Sequence, residues 1–89
     1  MKIVKNERVS QDLIDGELFL FNSDTQKIVS LNKVASMIWE LIDKKDEAEA
    51  LSAFLDLFNF ADDTEKKLAE SDFKNVMARL LEAGCITQV

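Results

Sequence analysis

The strongest constraint on the fold is a change of hydrophobic period at a single residue, Asn32. Before it, Lys27-Ile28-Val29-Ser30-Leu31 is a β-type run that follows the turn formers Asn22-Ser23-Asp24-Thr25. After it, Val34, Met37, Ile38 and Leu41 recur at helical spacing, and Trp39 lies on an adjoining stripe flanked by Ala35 and Leu41. Asn32 is suited to cap that helix, because its side-chain oxygen can accept from a free amide of the first turn. A strand that passes into a capped amphipathic helix without a linker requires a mixed fold, and the helix is predicted over Lys33 to Asp43.

Two further strands are predicted upstream. Val9 to Ile14 mixes polar and apolar residues as an outer strand does, and Asp15-Gly16 is a hairpin signal, since both central residues of a type I′ turn need positive φ. Glu17 to Asn22 follows, and its four successive apolar residues imply some cover on both faces. With Lys27 to Leu31 these segments make a three-stranded antiparallel meander.

Downstream, Lys44 and Lys45 suit the negative end of the first helix. Asp46 and Glu49 resemble a capping box for a second helix carrying Leu51, Phe54, Leu55 and Phe58. Asn59 to Asp63 reads as a loop, and Thr64 to Glu70 as a polar helical turn. Ser71 is expected to cap a third helix bearing Phe73, Val76, Met77, Leu80 and Leu81, which Gly84 ends as a C′ residue. Ile86 to Val89 is expected to form a short terminal strand. The fold class is thus α+β, a meander followed by three helices, in one domain over residues 1–89.

Composition narrows the chemistry. The formal net charge is -6, so the overall positive field that drives phosphate-backbone binding is missing, and nucleic acid is not expected as a partner. There is no His and no Tyr, which removes the usual general base near neutral pH and the usual transition-metal ligand. Gly16 and Gly84 stand alone, so no phosphate-binding loop can be written onto the chain. No catalytic residue, metal site or cofactor is assigned. Cys85, the one cysteine, has no partner for an internal disulfide, which suits a reducing compartment. No signal peptide and no apolar run of roughly 20 residues is seen, so the expectation is a soluble, cytoplasmic protein without a membrane partner.

Leu31-Asn32, Ala35, Ile38-Trp39-x-Leu41-Ile42-Asp43, a second helix and the closing Leu80-Leu81-Glu82-Ala83-Gly84-Cys85-Ile86 resemble the PqqD family of pyrroloquinoline quinone biosynthesis. More broadly they resemble the RiPP recognition elements, small winged-helix-like domains that bind leader peptides of ribosomally made precursors for a modifying enzyme. The resemblance runs from Val9 to Ile86, and its most specific part is the Leu-Asn junction with the Ile-Trp pair. The chain departs from the pattern in carrying Ile28 and Val29 where an aromatic often stands, and Cys85 where a Leu often follows the closing Gly.

The resemblance implies a non-catalytic accessory protein that captures a leader peptide by β-strand addition and presents it to a separate radical enzyme, protease or cyclase. The edge would be Gln26, Lys27, Ile28, Val29, Ser30 and Leu31. The facing helix would supply Phe73, Val76, Met77 and Leu80, with Lys74 and Arg79 at the rim to pair with leader carboxylates. An exposed edge strand offers unpaired amides and carbonyls to such a peptide.

Each residue also has a plainer role. Leu31, Ile38, Trp39 and Leu41 at their spacing read as core, and so at first do Phe73, Val76, Met77 and Leu80, among which the adaptable thioether of Met77 best suits a groove. Lys74 and Arg79 read as solvated charges, Cys85 as a small buried hydrophobe, and Asp62-Asp63 as a helix-start signal. Two other classes fit the same elements. One is a winged-helix DNA-binding protein, against which stand the acids Asp72 and Glu82 beside only Lys74 and Arg79. The other is a structural subunit or homodimer that uses the same edge for self-association.

Overall fold

The computed structural model describes Met1 to Val89. Its elements are β1 (Ile3–Lys5), β2 (Val9–Ile14), β3 (Glu17–Asn22), β4 (Lys27–Leu31), α1 (Lys33–Leu41), α2 (Glu47–Leu55), α3 (Asp63–Glu82) and β5 (Ile86–Gln88). Asp15 and Gly16 take φ of 52° and 81°, the positive pair that a type I′ turn requires, and Ile14 faces Glu17 across it. The meander β2-β3-β4 is antiparallel throughout, with the strand bounds expected from the sequence.

The second turn of the meander is organised by Asn22, a polar side chain only 1% exposed. Its Oδ1 accepts from the Asp24 amide at 2.9 Å, closing the turn, while its Nδ2 donates to the carbonyls of Ala83 and Gly84, each at 3.0 Å. One buried amide therefore ties the β3–β4 turn to the end of α3, with both ends of the group satisfied. Gly84 has φ 72°, and the Cys85 and Gly84 amides donate back to the Leu80 and Leu81 carbonyls at 2.9 and 3.1 Å. That is the Schellman arrangement, so Gly84 is the C′ residue expected.

Helix starts also follow local chemistry. Asn32 Oδ1 accepts from the Ala35 amide at 2.8 Å, and Asp46 Oδ1 accepts from the Glu49 amide at 2.8 Å. That second bond holds the Asp46 carboxyl below its ordinary pKa. Lys45 Nζ donates to the Leu41 carbonyl at 2.8 Å, which uses the lysine at the negative helix end as expected. The helix itself stops at Leu41 with Ile42 as its C-cap, short of the predicted Asp43. Phe58 lies beyond the end of α2, in a turn where its amide donates to the Leu55 carbonyl at 3.3 Å.

Two sequence expectations are corrected. Ser71 caps nothing: α3 is one helix of 20 residues whose N-cap is Asp62. Asp62 Oδ1 accepts from the Glu65 amide at 2.9 Å, and Glu65 Oε2 reaches back to the Ala61 amide at 2.9 Å. The reciprocal pair places the cap nine residues before Ser71, and no Gly or Pro interrupts the helix afterwards. The second correction is β1, a strand not anticipated, which pairs antiparallel with β5 from Ile3↔Gln88 to Lys5↔Ile86.

The core gathers one face from every element except β2, which adds only the partly buried Val9: Ile3, Leu20, Leu31, Ile38, Phe54, Phe73, Leu80 and Ile86 are all fully or almost fully buried. Trp39 is 3% exposed, and its Nε1 donates to Gln11 Oε1 at 2.9 Å, so the polar end of the ring is satisfied at the sheet. Lys5 Nζ sits 4.3 Å from the same ring's centroid. Leu41, expected in the core, packs against it half-buried, and Cys85 is wholly buried. No helix is long and apolar enough to cross a membrane.

Candidate functional site

The type I′ turn at Asp15-Gly16 decides which backbone groups of the meander are free. A two-residue hairpin makes Ile14↔Glu17 a hydrogen-bonded pair, and such pairs alternate along an antiparallel ladder. Glu17, Phe19 and Phe21 therefore bond to β2, which leaves Leu18, Leu20 and Asn22 to bond to β4. Their partners are Leu31, Val29 and Lys27. The two residues between, Ile28 and Ser30, direct their amides and carbonyls away from the sheet.

That outward edge faces the C-terminal half of α3 across an open groove of about 450 Å³. Its strand side is Lys27, Ile28, Val29 and Ser30, and its helix side is Arg79, Glu82 and Ala83. Arg79 Nη2 donates to the Ser30 carbonyl at 2.9 Å, across the groove. The bond confirms independently that Ser30 points outward. Lys27 Nζ lies 3.4 Å from the Glu82 carbonyl at the other end. Two cations and one carboxylate line the groove, a local charge of +1 in a chain of net charge -6.

The twelve residues singled out from the sequence divide sharply. Lys27, Ile28, Val29, Ser30 and Arg79 come together in the groove. Leu31, Phe73, Val76, Met77 and Leu80 are core, none more than 8% exposed, and Met77, expected to adapt to a partner, is 2% exposed. Gln26 is no part of the strand edge: it has φ 58° in the turn, and its amide donates to the Asn22 carbonyl at 2.7 Å. Lys74 is exposed on another side of α3, because five residues separate it from Arg79, which is about 140° around a helix. The place given to Lys74 at the rim is occupied instead by Lys27.

Glu82 and Ala83 were not singled out. They lie three and four residues beyond Arg79, the spacing at which helical side chains share a face, so the groove side of α3 was readable from Arg79 alone.

Comparisons with known proteins bear on the family and the fold. The family model described as Coenzyme PQQ synthesis protein D (PqqD) matches residues 17–86. A search among curated proteins finds no match. Among solved structures, TbiB1 in complex with the TbiA(beta) leader peptide is similar with a TM-score of 0.72 and 22% identity, covering 100% of this chain and 98% of that one. Lasso peptide synthetase B1 complexed with the leader peptide is similar with a TM-score of 0.71 and 18% identity, covering 99% of this chain and 100% of that one. At these identities the likeness is one of fold. The family match takes in β3, β4, all three helices and the Gly84 cap, and the chain belongs to the PqqD family.

Proposed function

We propose that this protein is a non-catalytic accessory module that binds the leader segment of a ribosomally made precursor peptide along β4 and presents it to a separate modifying enzyme in the cytoplasm. The observation that carries the reading is the edge at Ile28 and Ser30, whose outward backbone groups face a groove walled by α3. An added strand satisfies those groups with main-chain hydrogen bonds, and alternate side chains of the peptide enter the groove. Support comes also from the solved relatives of this fold, both of them leader-peptide complexes. The peptide runs antiparallel to β4, the more stable pairing and the one that continues the meander.

Arg79 gives the edge a resting state. Its bond to the Ser30 carbonyl covers one of four outward groups, and covered edges resist non-specific pairing with other chains. A leader carboxylate draws the guanidinium off that carbonyl and exposes the edge for pairing. The radical enzyme, protease or cyclase that takes over the captured peptide binds a face left free by the groove.

The test uses synthetic leader segments of the small precursors encoded beside the gene, followed by amide hydrogen exchange. Binding should slow exchange at Ile28 and Ser30 while the Val29 amide, already bonded to Leu20, changes little. Tight binding with no added protection at Ile28 and Ser30 would exclude strand addition. Failure of every such segment to bind would exclude the accessory role.

A further inference from the structure

Two further hollows continue the β4 groove along α3, and they share residues in sequence. Arg79 belongs both to the β4 groove and to a polar hollow lined by Asn32, Ala35, Asn75 and Val76. Val34 and Asp72 then belong both to that hollow and to a third, of about 320 Å³. The third hollow is walled by Phe54, Phe58, Phe60, Leu68 and Ala69, between the end of α2 and the N-terminal half of α3. Phe58 lies between the other two rings, edge-to-face with Phe54 at 5.2 Å between centroids and tilted against Phe60 at 5.9 Å. Leu68 is 62% exposed and Val34 is 37% exposed, an apolar surface left without cover.

The charges along this track are unequal. The β4 groove holds Lys27 and Arg79 against Glu82, whereas the apolar hollow holds Glu65 and Asp72 and no cation. An occupant that spans both is matched by acidic residues at the β4 end and a basic residue at the apolar end.

We infer that the apolar hollow is an anchor subsite for the same peptide, taking one large apolar side chain with an adjacent Lys or Arg, N-terminal to the segment paired with β4. This rests on the strand-addition reading. The direction follows from the pairing: β4 runs towards Asn32, so an antiparallel partner has its N-terminal part beside Asn32 and the hollow beyond it. The spacing follows from the helix. Arg79 lies seven residues from Asp72 and eleven from Leu68, about 10 to 16 Å along α3. An extended chain covers that in about three to five residues. The modifying enzyme is the rival occupant, and the experiment separates the two.

Random 15-residue peptides are selected by mRNA display on the full chain, and the winners are measured by fluorescence anisotropy. Winners should carry an apolar residue beside a Lys or Arg, three to five residues before a β-type segment with acidic residues. They should bind at least tenfold more weakly to Leu68→Asp, a substitution at an exposed position, and measurably more weakly to Asp72→Lys, which tests the charge alone. They should also lose binding to Ile28→Pro. Winners that depend on Ile28 but bind Leu68→Asp and Asp72→Lys at full strength would overturn the anchor and leave strand addition standing. Winners that depend on Leu68 and ignore Ile28→Pro would make the hollow a separate docking face and overturn the shared track. If no peptide is enriched, the anchor and the strand-addition reading fall together.

Discussion

Arg79 and Ser30 are joined across the groove by a bond of 2.9 Å from a guanidinium to a backbone carbonyl, so the edge and the helix that walls it are already in contact without a ligand. The groove is therefore set by side chains from both walls, and its charge comes from Arg79 and Lys27 rather than from the fold as a whole.

Reversing the groove charge with Lys27→Glu and Arg79→Glu should weaken binding of an acidic leader peptide by about tenfold or more and reverse the sign of its salt dependence. Lys74→Glu, on another side of α3, should leave both unchanged. Titrations at low and high salt check this, and an effect of Lys74→Glu equal to the others would deny the groove its special charge.

Proline scanning of β4 should give opposite results at adjacent positions. Ile28→Pro removes an outward amide, so the fold should persist by circular dichroism while peptide binding is lost. Val29→Pro removes an amide bonded to Leu20 and should destabilise the domain by about 3 kcal/mol. Reversal of the two outcomes would mean that the ladder is shifted by one residue.

Gly84→Ala should cost about 2 to 3 kcal/mol in urea unfolding. The backbone there has φ 72°, and an added Cβ would lie 2.8 Å from Asn22 Nδ2, displacing the amide that links the β3–β4 turn to α3. A loss below about 0.5 kcal/mol would show that the Asn22 link can relax without consequence.

Trp39→Ala should destabilise by about 3 to 5 kcal/mol, the usual range for truncating a buried aromatic. Trp39→Phe keeps most of the packing but leaves Gln11 without its indole donor, and should cost less. Equal losses for both would place the importance in the hydrogen bond instead of the ring.

Burial pushes the Cys85 thiol above its ordinary pKa of 9.0. The unfolded chain then gives up the thiol proton first, so this contribution to stability is present below pH 9 and declines as pH rises through the folded value. The difference in stability between wild type and Cys85→Ala should shrink above pH 9. Lys5, whose pKa burial lowers, acts in the opposite sense but equally in both proteins, so it cancels in the comparison. A difference that stays constant to pH 10.5 would mean that the thiol titrates alike in both states.

What was legible in the sequence was local. Asp15-Gly16, Asn32, Asp46 and Gly84 each decide a turn or a helix end within a few residues, and all four act as their chemistry predicts. Asp62 is visible as a helix-start signal, but the exposed run from Asp63 to Leu68 gives little apolar period to extend a helix through, so the apolar spacing alone points to Ser71. The β1–β5 pairing joins residues more than 80 positions apart, and nothing near Ile3 announces it. In the site, the strand half was readable because Lys27 to Ser30 follows a short period-2 pattern. The helix half was confused because core and groove residues alternate on α3, and only Arg79 stood on the correct side.

The pairing of β1 with β5 brings the beginning and the end of the chain together, with Lys2 and Val89 exchanging backbone hydrogen bonds. The groove is built from β4 and α3, which belong to neither of these strands. Such an arrangement makes the domain portable: a host polypeptide can enter and leave at one spot, with the groove between β4 and α3 carried intact. By the same geometry, a circular permutant joined by a short linker from Val89 to Met1 and reopened at Asp15-Gly16 should fold and keep its ligand.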